Sequence, residues 1–509
     1  MLLCCRPAPD PVSPDESRPV ASVTVETPGS TSVTLGVKLI HAERVWLLAL
    51  GPDKTAPSAD GVKSSGSSLA AGTGVLEGLA PGSTYILYYC PESASGKLGS
   101  VSSLEFRTIS VEPYAWEKSR DGIPFFAQTA LIYGGGSRTP KYWTPERIRS
   151  HVSWTDPETG EEKWLFDAFL VLEGRTPSYP PHAFMMGLKD WDDPSVGMLA
   201  ADKQDATKWI DYWFLDNNGF VALDAVVAEV TSRIGPPPVT PKVIVMMPDI
   251  PVHERYNVPG SSTRYWGSAE GRELDFSIVA DRVAAYRWYV DEVRSRFDRA
   301  NFQNIELGGF YIMSEELPST RSGIGGNGGD YVNGVMLDGW EVYAKAWDDV
   351  FPAVSDYIHL FNEAVVWIPY RRAAGFRYWK EFGIDYAYMQ PNRFWDTAGA
   401  NPMASFFADI ATYNLAMELE IDDRVMVKPV DESDSSYKEG ETYETYRARW
   451  REYVEGMKNA KVYGNKQLAY YMGADSFNHI LQSKVPEEQA LINELCRLIA
   501  NDPLKAKNK

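Results

Sequence analysis

The chain has 509 residues, of which 44% are hydrophobic and 13% aromatic, so it is long enough for a large buried core and an accessory module. Lys and Arg number 50 and Asp and Glu number 69, which gives a formal net charge of −19. This charge argues against a nucleic-acid binder, because such a protein needs a basic surface to replace the counterions of the phosphates. It is typical of a soluble enzyme with a neutral or weakly charged substrate.

The first residues resemble the end of a bacterial lipoprotein signal. Cys4 and Cys5 follow an apolar Met-Leu-Leu, and the segment after them is rich in Pro, Ser and Asp, as in a flexible tether. The charged part of such a signal is missing, so an ordinary flexible N-terminus is the alternative. We expect residues 1–19 to be a tether with Cys4 or Cys5 as the lipid acceptor. The predicted location is the periplasm or the outer-membrane surface, with no membrane contact beyond this anchor, since no run of about 18 apolar residues exists.

Residues 20–109 consist of short alternating segments separated by clusters of Gly, Ser, Pro and Asp. This pattern predicts a small all-β sandwich of the Ig or fibronectin III-like type. The stretch from Gly78 to Tyr85 resembles the corner before the F strand of fibronectin type III domains. There Tyr85 would bond back to the backbone, and Trp46 would lie in the core. A spacer is the favoured role of this domain, and carbohydrate binding is the alternative.

Residues 112–505 change to strands that alternate with amphipathic helices, which predicts an α/β fold of the (β/α)8 TIM-barrel type. A helix is predicted at Arg372–Glu381, and His359–Asn362 is a rival for the fifth strand. The eight predicted strands are Phe125–Tyr133, Trp164–Leu172, Lys242–Met247, Asn304–Met313, Val365–Tyr370, Tyr386–Gln390, Leu415–Ile421 and Leu468–Met472.

Carboxylates follow the fourth strand and occupy the seventh, at the end of a barrel where active sites lie. Glu315 comes just after strand four, and Glu418, Glu420 and Asp422 share one face of strand seven. Two such carboxylates suit glycosidic hydrolysis, because one donates a proton to the leaving oxygen and the other attacks the anomeric carbon. We expect Glu315 to be the acid/base and Glu420, near the rim, to be the nucleophile, with Glu418 and Asp422 as its rivals. Each of them could instead be a structural salt-bridge partner.

Further candidates follow from their position near the ends of strands or in aromatic-rich loops. Carboxylates and amides there would bind sugar hydroxyls, and aromatic rings would stack on sugar faces, although each ring could equally be core packing. The predicted substrate-binding residues are Asp167, Trp191, Asp249, Trp367, Tyr370, Gln390, Asn392, Trp395 and Tyr471.

No cofactor or metal is expected. The cysteines and the six histidines show no metal-ligand spacing. The segment Gly323–Gly328 matches GxGxxG, but it does not turn directly from a strand into a helix, so we interpret it as an active-site flap.

Several stretches together resemble a family known as domain of unknown function 4855, common in gut Bacteroidetes. The resemblance spans nearly all of residues 112–500, and its stretches are LIYGGGSRTPKY, WLFDAFLVLE, GFYIMSE, VWIPY, YMQPNRFW and MELEID. It implies a barrel with a glycan-degrading role in polysaccharide utilisation, and it supplies no substrate. An acid on strand four and a nucleophile on strand seven also resemble a large clan of retaining glycosidases. In that clan the strand-four glutamate usually follows Asn, whereas Ser314 precedes Glu315 here.

We therefore predict an exported, monomeric glycoside hydrolase with a carbohydrate substrate and a retaining two-carboxylate mechanism. A non-catalytic glycan-binding surface lipoprotein is the first alternative. A polysaccharide lyase is the second, and it would need a Tyr, His or Lys base beside a bound uronate.

Overall fold

The computed structural model describes residues 18–28, 32–79, 83–108, 122–136, 140–185, 198–254, 261–317, 331–332, 335–336, 340–396, 399, 401–430 and 436–508. Cys4, Cys5, Trp191 and the Gly323–Gly328 segment lie outside these residues, so the predictions made for them stay predictions. The chain divides into two compact units, Met1–Ala115 and Trp116–Lys509. In the described residues, no helix has the length and apolar character that a membrane span requires.

The first unit is the predicted sandwich of two antiparallel sheets. One sheet contains Val20–Pro28, Ser32–Ile40 and Gly72–Glu77, and the other contains Arg44–Leu50, Ser67–Leu69, Thr84–Glu92 and Ser102–Arg107. The Tyr85 ring stacks on Phe106 with 5.7 Å between centroids. The predicted corner bond of Tyr85 remains untested, because residues 80–82 are outside the described part of the chain.

Trp46 does not lie in the main core of the sandwich, so that prediction is wrong. Its neighbours Val45 and Leu47 are buried between the sheets. Because side chains alternate along a strand, Trp46 lies on the other face and packs against Val62 of a short helix, Ala59–Ser65. Its indole Nε1 donates a hydrogen bond to Glu92 Oε2 at 2.8 Å.

The second unit contains a closed barrel of eight parallel strands, which confirms the predicted fold. Each strand pairs with the next along the chain, and β8 closes the ring by pairing with β1. Aliphatic runs such as AFLVL and KVIVMM are buried on both faces, as parallel strands require. The strands are β1 Gln128–Tyr133, β2 Ala168–Leu172, β3 Lys242–Met247, β4 Glu306–Ile312, β5 Ala364–Trp367, β6 Tyr386–Met389, β7 Ala416–Glu420 and β8 Leu468–Tyr471.

Helices in the connections cover the outside of the barrel. α2 begins with a capping box between Asp202 and Asp205, and α3 ends at Gly235, before three prolines that cannot continue a helix. The helices are α1 Pro145–Val152, α2 Lys203–Trp213, α3 Gly219–Ile234, α4 Val279–Ala300, α5 Trp340–His359, α6 Met403–Tyr413, α7 Tyr443–Asn459, α8 Ser476–Gln482 and α9 Pro486–Ala500.

Two expectations around β5 are wrong. The rival strand His359–Asn362 is the end of α5 and a following turn. The predicted helix Arg372–Glu381 is a series of turns before a short 3-10 helix, Trp379–Phe382. Arg372 and Gly375 have φ values of 57° and 87°, which a right-handed helix cannot contain.

Gly309 in β4 permits the close approach of β5. A Cβ atom at this position would lie 2.1 Å from the carbonyl oxygen of Ala364, which is far inside van der Waals contact. Any larger residue would therefore push these two strands apart next to the segment that carries Glu315.

Candidate active site

A cavity of about 260 Å³ opens at the carboxyl ends of the barrel strands. This is the end at which TIM-type barrels hold their catalytic groups. Its lining residues are Leu131, Tyr133, Leu172, Gly174, Met185, Tyr311, Met313, Glu315, Ile368, Gln390, Trp395, Glu418 and Tyr471. Residues from or just after seven of the eight strands thus converge on one space, which we take as the candidate active site.

Two carboxyl groups face this cavity. Glu315 follows β4, is half-buried, and accepts a hydrogen bond from Gln390 Nε2 to its Oε1 at 2.9 Å. Glu418 lies on β7 and is only 3% exposed. Within the part of the chain that the structure describes, no hydrogen bond reaches the Glu418 carboxyl group. The two groups therefore share one space but differ in their local support.

Burial and mutual repulsion disturb the ionisation of this pair. Burial raises the pKa of Glu418 well above its usual range, and the neighbouring carboxyls of Glu420 and Glu315 raise it further. Burial also raises the pKa of Glu315, while the hydrogen bond from Gln390 opposes that rise. Since donation to a carboxylate stabilises its ionised form, the arrangement favours a proton on Glu418 and a negative charge on Glu315.

A chain of hydrogen bonds holds Gln390 in the orientation that serves Glu315. Asn392 Nδ2 donates to Gln390 Oε1 at 3.0 Å, which leaves the Gln390 amide nitrogen directed at Glu315. The backbone nitrogen of Asn392 in turn donates to Glu420 Oε1 at 3.0 Å. Gln390 and Asn392, both predicted from the end of strand six, thus link Glu420 to Glu315.

Glu420 does not face the cavity, and its predicted role as nucleophile is wrong. It has no exposed surface, and its Oε2 accepts a hydrogen bond from Tyr453 on α7. Burial raises its pKa to about 7, and the hydrogen bond from Tyr453 opposes the rise. Glu420 is therefore enclosed by protein, whereas Glu418, two residues earlier on the same strand, lines the cavity.

Three aromatic rings form one side of the cavity, which we call the aromatic wall and define as Tyr133, Trp395 and Tyr471. The Tyr471 ring contacts Tyr133 at 5.9 Å and Trp395 at 5.5 Å between centroids, both edge to face. All three side chains are half-buried, so part of each ring is open. Trp395 and Tyr471, both predicted as substrate-binding residues, line the cavity, and the wall offers it apolar ring faces.

Trp367 is a core residue, so its predicted stacking role is wrong. Its side chain has no exposed surface, and its indole Nε1 donates to the carbonyl oxygen of Ser314 at 2.6 Å. Trp367 thereby holds the backbone just before Glu315 and supports the site from below.

Asp167 lies at the opposite end of the barrel, so its predicted substrate-binding role is also wrong. It precedes β2, and its Oδ1 accepts a hydrogen bond from the Gln128 backbone nitrogen at 2.7 Å. Its Oδ2 accepts one from the Ala127 nitrogen at 3.0 Å. The predicted second strand begins at Trp164 and so includes Asp167, whereas the observed strand begins at Ala168.

Asp249 and Tyr370 are near the expected ends of β3 and β5 but are not among the cavity-lining residues. Asp249 is 3% exposed, and Tyr370 is half-buried. Their roles in substrate binding stay predictions.

The sequence analysis missed Tyr133, Tyr311 and Met313 as lining residues. The signal was available, because Tyr311, Met313 and Glu315 alternate along one segment and alternate residues share a face. The same reasoning applies to Leu131 and Tyr133 in β1. In the described residues, no group of three His, Cys, Asp or Glu side chains could hold a metal ion.

Comparisons with known proteins place the barrel in a family without an assigned reaction. The model described as "Domain of unknown function (DUF4855)" matches residues 128–324 and 341–497. No curated protein matches the chain.

At low similarity, the chain also matches solved structures of glycoside hydrolases. A Faecalibacterium prausnitzii beta-glucuronidase is 10% identical with a TM-score of 0.30, and the match covers 89% of this chain and 59% of the glucuronidase. A calcium-binding mutant of Bacteroides uniformis beta-glucuronidase 2 is 9% identical with a TM-score of 0.33, and the match covers 89% of this chain and 45% of that protein. The fn3 domain of human collagen alpha-1(XX) chain is 13% identical with a TM-score of 0.16, and the match covers 20% of this chain and 97% of that domain. Such distant likeness assigns no activity.

Proposed function

The chain belongs to the DUF4855 family, and we propose that its barrel is a glycoside hydrolase in which Glu315 and Glu418 are the catalytic pair. The observation that carries this proposal is that two carboxyl groups face one cavity at the carboxyl end of the barrel. The aromatic wall beside them supports a carbohydrate ligand. The family description names no reaction, so the proposal rests on the site itself.

The proposed reaction uses the two carboxyl groups in different ionisation states. Glu418 donates its proton to the glycosidic oxygen while the Glu315 carboxylate attacks the anomeric carbon, and a glycosyl ester forms as the leaving group departs. The Glu418 carboxylate then takes a proton from a water molecule that attacks the same carbon and releases Glu315. Configuration is retained, and the Glu418 proton is restored.

These roles reverse the roles expected from strand order. The sequence analogy gave Glu315 the proton, but Gln390 donates to Glu315 and stabilises its ionised form. The carboxyl groups of Glu420 and Glu315, together with burial, disfavour the ionisation of Glu418.

The function is tested with a panel of plant, host and microbial glycans, by reducing-sugar release and by NMR of the first anomer formed. We expect wild type to release sugar with retained configuration and Glu315→Gln to bind the same glycan without cleaving it. Unsaturated uronate products would point to a lyase. Glycan binding by wild type, with no cleavage of any kind, would show a binding protein.

The hydrogen bond from Gln390 gives a pH prediction. Gln390→Met removes the donor, so the pKa of Glu315 rises further. Because the reaction requires ionised Glu315, the acidic limb of the kcat/KM profile should move to higher pH. The alkaline limb reports the proton on Glu418 and should stay in place, which makes it the internal control. An unchanged acidic limb would contradict the assignment of the negative charge to Glu315.

Export and lipid attachment at Cys4 or Cys5 remain part of the proposal. They rest on the sequence pattern of residues 1–19 alone.

A further inference from the structure

A second, open groove of about 600 Å³ lies beside the segments that follow β1 and β8. These strands are hydrogen-bonded neighbours in the barrel, and both segments leave its carboxyl end. The groove is therefore on the same face of the barrel as the catalytic cavity. Its lining residues are Pro140, Lys141, Tyr142, Thr144, Arg147, Asp475, His479 and Gln482.

Positively charged side chains line the groove, although the chain has a net charge of −19. The Lys141 ammonium lies 5.5 Å from the Tyr142 ring centroid, and it makes no ion pair with any residue that the structure describes. Arg147 uses one terminal nitrogen to bind Asp475 Oδ2. Its other guanidinium nitrogens make no hydrogen bond with the described residues.

The acidic group in the groove is already engaged. The Asp475 side chain is 6% exposed, and besides Arg147 its Oδ1 accepts a hydrogen bond from Asn478 Nδ2 at 2.7 Å. His479 has its own carboxylate partner, with Nδ1 2.9 Å from Asp423 Oδ2. Among the charged groups that line the groove, Lys141 and the outer edge of Arg147 are therefore left for a ligand, and both are positive.

Tyr142 adds an aromatic surface to these cations. The residue is 45% exposed, and its ring stacks on Tyr212 with 6.2 Å between centroids and an interplanar angle of 17°. The Tyr212 hydroxyl donates to the carbonyl oxygen of Lys141 at 3.0 Å, which ties the lysine backbone to the same support. An aromatic face held in this way can stack on a sugar ring.

We propose that this groove binds an anionic sugar unit, carrying a carboxylate or a sulfate ester, of a glycan whose scissile bond lies in the cavity. The proposal rests on the proposed function, and it names the substrate class of that enzyme. Lys141 and Arg147 bind the anionic group through charge-assisted hydrogen bonds, and Tyr142 stacks on the sugar ring. The local charge of the groove thus selects a ligand that the net charge of the chain would repel.

Binding is measured by calorimetry on the full chain carrying Glu315→Gln, so that no probe is consumed. The probes are an oligogalacturonate hexamer, a chondroitin sulfate hexasaccharide and cellohexaose. Lys141→Ala should weaken binding of the preferred acidic probe roughly tenfold, and Tyr142→Ala should do the same, whereas Tyr142→Phe keeps the ring and should bind normally. Lys458→Ala removes an exposed lysine of α7 and is the matched charge control.

The preference between the two acidic probes identifies the anionic group as a carboxylate or a sulfate. Equal binding of cellohexaose, or acidic binding that ignores both Lys141→Ala and Tyr142→Ala, would overturn the proposal. Absence of binding by both acidic probes would overturn it as well. Hydrolysis is measured separately in wild type. Cleavage of a glycan without any effect of the groove substitutions on binding would overturn only this inference. An effect of these substitutions on binding, without cleavage, would overturn only the proposed hydrolase activity.

Discussion

Glu418→Gln is expected to lower kcat for glycan hydrolysis by at least about 10³-fold, because the amide has no proton to give to the glycosidic oxygen. The substitution keeps the shape of a side chain that is 3% exposed, and it removes a buried group whose ionisation is disfavoured. The folded protein should therefore be at least as stable as wild type. Loss of activity with retained glycan binding, measured by kinetics and calorimetry, would identify a chemical role.

Glu420→Gln is the matched comparison, two residues away on the same strand. We expect a loss in kcat of only about tenfold, since Glu420 acts through Asn392 and Gln390 and does not contact the substrate. Because the Glu420 carboxyl raises the pKa of Glu418, the substitution should also move the alkaline limb of the pH profile to lower pH. A loss from Glu420→Gln as large as that from Glu418→Gln would contradict this order.

Asp167→Ala is expected to lower the free energy of unfolding by about 3–5 kcal/mol. The substitution leaves the backbone N–H groups of Ala127 and Gln128 without their acceptor, and both residues are fully buried. It also removes the carboxylate that attracts Lys505, whose ammonium donates to the carbonyl oxygen of Leu165 at this end of the barrel. Chemical denaturation of the full chain, followed at the barrel transition, measures the loss.

Asp211→Ala is the control for that measurement. Asp211 is 57% exposed and pairs with Arg296, so its loss should cost below about 1 kcal/mol. Because Asp167 lies at the end of the barrel away from the cavity, the folded fraction of Asp167→Ala should keep its catalytic constants. An equal effect of the two substitutions would show that the buried acceptor does not support this end of the barrel.

The barrel could be predicted because its signals are local. Buried aliphatic runs define strands, and Lys242–Met247 was predicted with its observed bounds. A glycine before three prolines likewise marks the end of the helix Gly219–Ile234. The turns at 372–378 could not be predicted, because tertiary contacts impose positive φ at Arg372 in a sequence that otherwise suits a helix. A Cβ atom added at Gly375 would lie 2.3 Å from the carbonyl oxygen of Leu317, so this glycine packs closely against a segment far away in sequence.

The site was predictable to the level of strands and not of atoms. Strand periodicity placed Glu418 and Glu420 on one face, but no signal in the local sequence indicated which of the two would line the cavity. The difference arises where Asn392 and Tyr453 from other segments enclose Glu420. Position along a strand was likewise a poor guide for Trp367, because a ring at a strand end can turn into the core as readily as into the mouth.

The most direct test of the catalytic pair is to trap the glycosyl-enzyme ester. A 2-deoxy-2-fluoro glycoside with an activated leaving group, made for the sugar that the glycan panel identifies, slows release of the ester so that it accumulates. Peptide mass spectrometry then locates the modified carboxylate. We predict the sugar on Glu315 in wild type, and no label in Glu315→Gln. A label on Glu420 would contradict the proposed pair, as would turnover that never places a sugar on any carboxylate.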